Sequence, residues 1–170
     1  MFPVAERAKA WVIAHGGRIG VATLVAGVVD LAWAFSINSA HGVPAGAVLR
    51  FIASGLLGLD AFRGGFPVAL LGLFCHFVLM GLFATAVTLA ATPGVRERMN
   101  LFTLGLGAGL ALYLVMNFLL LPLSATPPLP PMPVVRALAE VLVHVAVIGP
   151  IVAIIVGRSP RTAARTSAAV

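Results

Sequence analysis

The chain has 170 residues, of which 61% are hydrophobic and 9% are charged, and its mean hydropathy is +1.09. A soluble globular domain is about 45–50% apolar and about 25% charged, so this composition excludes an ordinary soluble domain and indicates a protein embedded in a lipid bilayer. The net charge of +6 does not indicate a nucleic-acid partner. The basic residues are spread thinly at the edges of apolar segments, where they meet lipid headgroups.

The chain begins with two predicted elements of different character. Residues 1–17 carry Trp11 on an apolar helical face and charged residues largely off that face, which is typical of a helix lying in the membrane interface. About residues 20–37 form the first predicted span, whose apolar run is longer than a signal-peptide core and contains Asp30. We therefore expect this segment to be retained as a membrane helix.

The segment at 45–62 is ambiguous. Its apolar residues fall on one helical face, but it is shorter than the ~20 apolar residues that a span needs. It also carries Arg50. We expect an interfacial or re-entrant helix that packs against the bundle.

Three further apolar segments are long enough to cross a membrane. They cover about residues 65–91, 101–123 and 134–157. Pro150 lies inside the last of them and predicts a kink, because proline has no amide N–H to donate. Together with the first span these segments make a transmembrane domain over residues 18–157, and residues 158–170 follow as a basic cytoplasmic tail.

The positions of Lys and Arg predict the orientation. Eight of the eleven lie before the first span, in the loop at 92–100 and in the tail, and those before the first span are Arg7, Lys9 and Arg18. Basic residues concentrate on the cytoplasmic side, so we expect both termini in the cytoplasm. A full crossing by residues 45–62 would move the loop at 92–100 to the other side. The sequence thus predicts an all-α, integral membrane four-helix bundle with a short extra interfacial or re-entrant helix between spans one and two.

Five polar residues lie inside the predicted spans, where such side chains are costly and usually face the bundle interior. They are Asp30, His76, Asn117, Glu140 and His144. The two histidines each lie roughly 15 Å into their span, about the midplane of a ~30 Å hydrocarbon core. Glu140 and His144 are four residues apart and so share one helical face. We expect these side chains to line an internal site.

Several chemistries fit this set. It can stabilise the bundle through interhelical hydrogen bonds alone, or it can bind a small molecule, an ion or a proton. His76, His144 and Glu140 can instead ligate a transition metal, and the two histidines can serve as axial ligands of a haem. The sequence leaves these alternatives open.

Gly105 and Gly109 allow another helix to approach the third span closely. We expect that helix to belong to the same bundle, with a second copy or another membrane protein as the alternative. A structural or assembly subunit is therefore a further hypothesis. No Ser–His–acid trio, His-Glu-x-x-His motif or phosphate loop is present in the sequence, which favours a non-enzymatic protein.

Several short stretches carry a resemblance. They are residues 52–58, residues 72–77, Asn117 with residues 122–125, and Glu140 with His144. Over about residues 50–150 the chain resembles a family of small, uncharacterised bacterial inner-membrane proteins with four transmembrane helices. The resemblance implies a bacterial inner-membrane location, four spans and a role for His76 and His144, but it implies no reaction.

Overall fold

The computed structural model describes residues 4–128 and 132–157, and within these ranges the chain forms helices and no strands. The tail predicted at 158–170 lies outside the described residues. The helices are α1 (Val4–Ser39), α2 (Ala45–Leu57, continued by the 3-10 segment Gly58–Arg63), α3 (Phe66–Ala90), α4 (Pro93–Arg98), α5 (Leu101–Leu123) and α6 (Val134–Gly157). The predicted all-α class is confirmed.

Among the described residues, five helices are long and apolar enough to cross a membrane. Four of them match the predicted spans, and the fifth is the 19-residue helix at Ala45–Arg63. Its length, with the 3-10 segment included, removes the argument that residues 45–62 are too short to cross. Whether this helix crosses therefore depends on how it packs.

The structure differs from the sequence prediction at the N-terminus, because α1 is one unbroken helix. It has 36 residues and is therefore about 54 Å long at ~1.5 Å per residue. Residues 4–17 continue the axis of the first span instead of forming a separate interfacial helix. Trp11 in this extension donates its indole N–H to the carbonyl of Thr88 at 3.0 Å and stacks on His15, which is buried. These contacts pack the extension against the end of α3.

α1 and α3 run antiparallel, and α6 runs antiparallel to α1. Gly27 lies level with His76, and Trp11 lies level with Thr88. We call the end of the bundle that holds Trp11, Thr88 and Gly157 the Trp11 end. We call the opposite end, which holds Asn38, Arg136 and Ser124, the Asn38 end.

α2 packs against the first half of α3 and contacts the Asn38 end. Gly72 lies against the backbone of Leu49, so closely that no side chain larger than hydrogen fits. At the other end of α2, the carbonyl of Gly55 accepts a hydrogen bond from the Ala125 amide at 3.0 Å. α1 ends and α3 begins on this same side, because the two helices are antiparallel and in register.

α5 and α6 pack with their backbones in contact. Gly105 lies against Pro150, and Gly109 lies against the carbonyl of His144, so each glycine leaves room for the facing helix. Gly149 makes the same close contact from the α6 side. The helix that these glycines admit is therefore within the same chain.

α5 and α6 each contain one π-helical turn, at Met116–Leu120 and His144–Ile148. Each turn ends two residues before a proline, Pro122 in α5 and Pro150 in α6. Proline has no N–H and its ring clashes with the carbonyl four residues earlier, so a widened turn relieves the clash. The irregularity predicted at Pro150 therefore takes the form of a π turn that begins at His144.

Candidate functional site

Asp30 of α1 lies between the two histidines of the predicted spans, His76 and His144. Its Oδ2 is 4.0 Å from Nδ1 of His76, and its Oδ1 is 3.7 Å from Nε2 of His144. The side chains are largely enclosed, with 20% of Asp30, 16% of His144 and 9% of His76 exposed. One carboxylate therefore faces an imidazole on each of its oxygens, from α3 on one side and α6 on the other. We call these three residues the Asp30 cluster.

The hydrogen bonds of the two imidazoles fix which nitrogen carries hydrogen. His76 Nε2 lies 3.0 Å from the carbonyl of Gly27, and His144 Nδ1 lies 2.7 Å from the carbonyl of Glu140. A carbonyl oxygen only accepts, so each of these nitrogens must donate. In the neutral imidazoles the remaining nitrogens, His76 Nδ1 and His144 Nε2, are then bare. Both bare nitrogens face Asp30.

This arrangement places three hydrogen-bond acceptors together when Asp30 is ionised and both histidines are neutral. That state carries one negative charge that no cation of the cluster offsets, and an unpaired charge inside a membrane protein is costly. One additional proton, on Asp30 or on either bare nitrogen, neutralises the cluster. It also supplies the donor that the facing atoms lack. The geometry therefore suits a group of side chains that shares one exchangeable proton.

A second polar group continues from the cluster toward the Asn38 end. Trp33 donates its indole N–H to Oε2 of Glu140 at 3.0 Å, and Arg136 Nε lies 3.9 Å from Oε1 of the same carboxylate. Arg136 also donates from Nη2 to Oδ1 of Asn38 at 3.0 Å. Glu140 is thus paired with a cation and a donor, and its negative charge is offset within this group.

Two antiparallel helix faces build both groups. On α6, Arg136, Glu140 and His144 follow each other at intervals of four residues and share one face. On α1, Asn38, Trp33 and Asp30 lie opposite them in that order. Arg136, Trp33 and Asn38 were not among the site residues predicted from the sequence. The four-residue spacing of the α6 residues was the available signal, and extending it by one step back from Glu140 reaches Arg136.

The π turn positions His144. Because the turn begins at this residue, the imidazole sits at a break in the regular α-helical ladder, and π turns occur frequently at functional sites. The ring of Tyr113 on α5 packs edge-on against His144 with 5.8 Å between ring centroids. Gly109, which contacts the His144 carbonyl, admits this close packing. The orientation of the imidazole is therefore set by α5 as well as by α6.

Asn117 is not brought into these groups. Its amide donates to the carbonyl of Tyr113 in its own helix at 2.9 Å. It lies in the π turn of α5 and lines a pocket of about 350 Å³ with Thr126 and Pro128 at the Asn38 end. The prediction that Asn117 joins the other four polar residues in one site is therefore not what the structure shows.

The metal and haem hypotheses can be compared with this geometry. Within residues 4–128 and 132–157, no group of three or more His, Cys, Asp or Glu side chains is arranged to hold a metal ion. Glu140 turns to Trp33 and Arg136, so it does not complete a set with the histidines. The two imidazoles face one carboxylate, which stands where a shared haem iron would have to lie.

No protein-family model, no curated protein and no solved structure matches the chain.

Proposed function

We propose that this chain is a four-span membrane protein that binds and releases a proton at the Asp30 cluster. One observation supports the proposal most strongly: two bare imidazole nitrogens face the same carboxylate. If these side chains only joined the helices by hydrogen bonds, we would expect an imidazole N–H to donate directly to the Asp30 carboxylate. Here the facing atoms lack a donor unless an extra proton is present.

The four-span topology rests on the packing of α2. α1 ends at Ser39 beside the start of α3 at Phe66, because Gly27 of α1 lies level with His76 of α3. A helix that begins and ends between these two points returns to the side on which it started. We therefore interpret α2 as a re-entrant helix at the Asn38 end, so α1, α3, α5 and α6 are the spans.

We assign the Trp11 end to the cytoplasm, because the basic residues of the N-terminal segment and of the loop at 92–100 lie there. Both chain termini then lie on the cytoplasmic side, and the Asn38 end faces outward. A bacterial inner membrane is the location that the resemblance implies. In this setting, a proton site inside the bundle is typical of a protein that couples proton binding to movement of an ion or a small molecule.

Infrared difference spectroscopy tests proton binding directly. We expect the purified protein to show carboxyl and imidazole bands that change together with pH, and we expect Asp30→Asn to abolish the coupled change. Asp60→Asn is the matched control, because Asp60 is 82% exposed and pairs only with Arg63 among the described residues. If Asp30→Asn alters the folded state, His144→Gln provides a second test, because it removes one bare nitrogen and should shift the carboxyl titration.

The proposal fails if the pH-dependent bands of the wild type and of Asp30→Asn are the same. A coupled change that is lost equally in Asp60→Asn would also contradict it, because that carboxylate is exposed and pairs with Arg63. Stoichiometric metal or haem in the purified protein, lost in His76→Gln and His144→Gln, would replace the proposal by a cofactor site.

A further inference from the structure

We infer that the proton of the Asp30 cluster exchanges only through the Asn38 end, and that an apolar plug of three helices closes the cluster from the Trp11 end. The inference rests on the proposed proton site and adds the side from which that site is reached. It assigns to the fold a one-sided proton site instead of a proton channel.

The connection toward the Asn38 end is polar at every step. The cluster adjoins Glu140, whose backbone carbonyl accepts from His144 at 2.7 Å. The Glu140 carboxylate contacts Arg136, which in turn donates to Asn38 at the end of α1. The Arg136 side chain is 28% exposed, a larger fraction than that of Glu140, Asp30 or either histidine. These groups offer donors and acceptors to a proton or a water molecule that moves between the cluster and the surface.

In the opposite direction, each helix changes from polar to apolar one turn beyond its cluster residue. On α1 the residue after Asp30 on this face is Ala26, on α3 the residue after His76 is Met80, and on α6 the residue after His144 is Ile148. These three are 0%, 4% and 0% exposed. The next turns continue the pattern with buried apolar residues on all three helices, and they form one packed cluster with the first layer. They are Ala22, Ala84, Val87, Val152, Ala153 and Val156.

The plug is thick enough to block a proton. From His144 to Val156 it extends about 18 Å along α6, and from Asp30 to Ala22 about 12 Å along α1, at ~1.5 Å per residue. Thr88 directly follows Val87 at the edge of the plug nearest the Trp11 end, and His15 lies about two turns beyond Ala22 on α1. The Thr88 hydroxyl donates to the carbonyl of Ala84, and His15 Nδ1 hydrogen-bonds to the carbonyl of Trp11, so both bonds stay within one helix. The hydroxyls of Thr23 and Thr85 lie at the height of the plug, but each donates to a carbonyl of its own helix, that of Ile19 and that of Gly81. Among the described residues, the packed side chains of the plug itself offer a proton no donor or acceptor between the cluster and Thr88.

The charged and titratable groups that face the cluster come from several helices. His76 approaches from α3, His144 and Glu140 from α6, and the phenol of Tyr113 lies beside His144 on α5. Arg136 reaches the cluster only through Glu140. On α2, Arg50 forms no hydrogen bond or ion pair with the cluster in the described part of the chain. The two imidazoles are thus the groups that face the Asp30 carboxylate directly.

The experiment uses the full-length chain in sealed liposomes of phosphatidylethanolamine and phosphatidylglycerol. The fraction of molecules with the Asn38 end outward is measured by labelling His41→Cys with a membrane-impermeant thiol reagent in a Cys75→Ala background. His41 is exposed in the loop beside that end. The pH of the outer buffer is then changed, and the infrared band assigned to Asp30 is followed before and after a protonophore is added.

We expect the fraction of the band that responds before the protonophore to equal the labelled fraction, and the remainder to respond after it. A response before the protonophore that exceeds the labelled fraction, or that equals the unlabelled fraction when the two fractions differ, overturns the sidedness while leaving the proton site intact. A band that does not respond even after the protonophore contradicts the proton site itself. The two failures are therefore distinguishable.

A plug variant tests the cause of the sidedness. Ala26→Ser adds one hydroxyl to the fully buried layer next to Asp30, and we expect it to increase the fraction that responds before the protonophore. Ala32→Ser is the matched control on the same helix, because Ala32 is exposed. An equal effect of both substitutions would contradict the plug.

Discussion

The contact of Gly109 with α6 permits a quantitative prediction. A Cβ at position 109 would overlap the carbonyl oxygen and the carbonyl carbon of His144 and would lie against Cα of Val145. These are backbone atoms, so no side-chain rotation relieves the overlap and the helices must move apart. We therefore expect Gly109→Ala to destabilise the protein and to displace the imidazole of His144 from Asp30.

The matched control is Gly107→Ala in the same helix, where an added Cβ meets nothing within 4 Å. Both substitutions gain about 0.8–1 kcal/mol of helix propensity, so this gain cancels when the two variants are compared. Overpacking a filled interface costs about 1–3 kcal/mol. Gly109→Ala should therefore be about 1–3 kcal/mol less stable than Gly107→Ala, provided that the pair is compared at the same temperature.

Reversible unfolding in mixed detergent micelles, monitored by tryptophan fluorescence, gives the two free energies of unfolding. The same samples report the cluster, since the coupled infrared titration should be altered in Gly109→Ala and unchanged in Gly107→Ala. Equal stability of the two variants would refute the backbone contact between α5 and α6 on which the position of His144 depends.

Two further predictions use other contacts. Trp33→Phe removes the donor to Glu140. We expect the free energy of unfolding, measured in the same assay, to fall by about 0.6 kcal/mol and at most by about 1.7 kcal/mol, which is the range for interhelical hydrogen bonds in membranes. A larger loss would contradict a simple interhelical bond. In the Cys75→Ala background, a cysteine at His41 and a cysteine at Gly65 should react from the same side of the membrane, whereas labelling from opposite sides would mean that α2 crosses and that the four-span topology is wrong.

Much of the fold follows from the sequence, because long apolar segments, and the helix-breaking prolines and glycines between them, mark the helices directly. The bounds of α3, α5 and α6 agree with the predicted segments to within about two residues, the usual uncertainty of helix ends. The unbroken α1 was not predicted. Its extension is held by the contact of Trp11 with the carbonyl of Thr88, and such a tertiary contact leaves no local signal in the sequence.

The candidate site was predictable in part. Depth placed His76 and His144 at one level, and helical spacing placed Glu140 near His144, but neither shows which side chains face each other. The structure pairs Asp30 with both histidines and turns Glu140 toward Trp33 and Arg136. Asn117 was included as a polar residue of its span, and its side-chain amide instead donates to the carbonyl of Tyr113 in its own helix. Helix rotation decides these outcomes, and it is set by packing at residues such as Gly105.

The central claim is that both histidines of the Asp30 cluster present a bare nitrogen to the carboxylate. Solid-state nitrogen NMR of the histidine-labelled protein in bilayers measures this directly, with His76→Gln and His144→Gln assigning the signals. At a pH high enough to remove the shared proton, we expect neutral His144 with hydrogen on Nδ1 and neutral His76 with hydrogen on Nε2. At a pH low enough for the proton to bind, we expect a doubly protonated ring in at least one of them when Asp30 is ionised. Neutral His144 with hydrogen on Nε2 and a bare Nδ1 would contradict the claim, because the imidazole would then donate to Asp30 and the cluster would need no further proton.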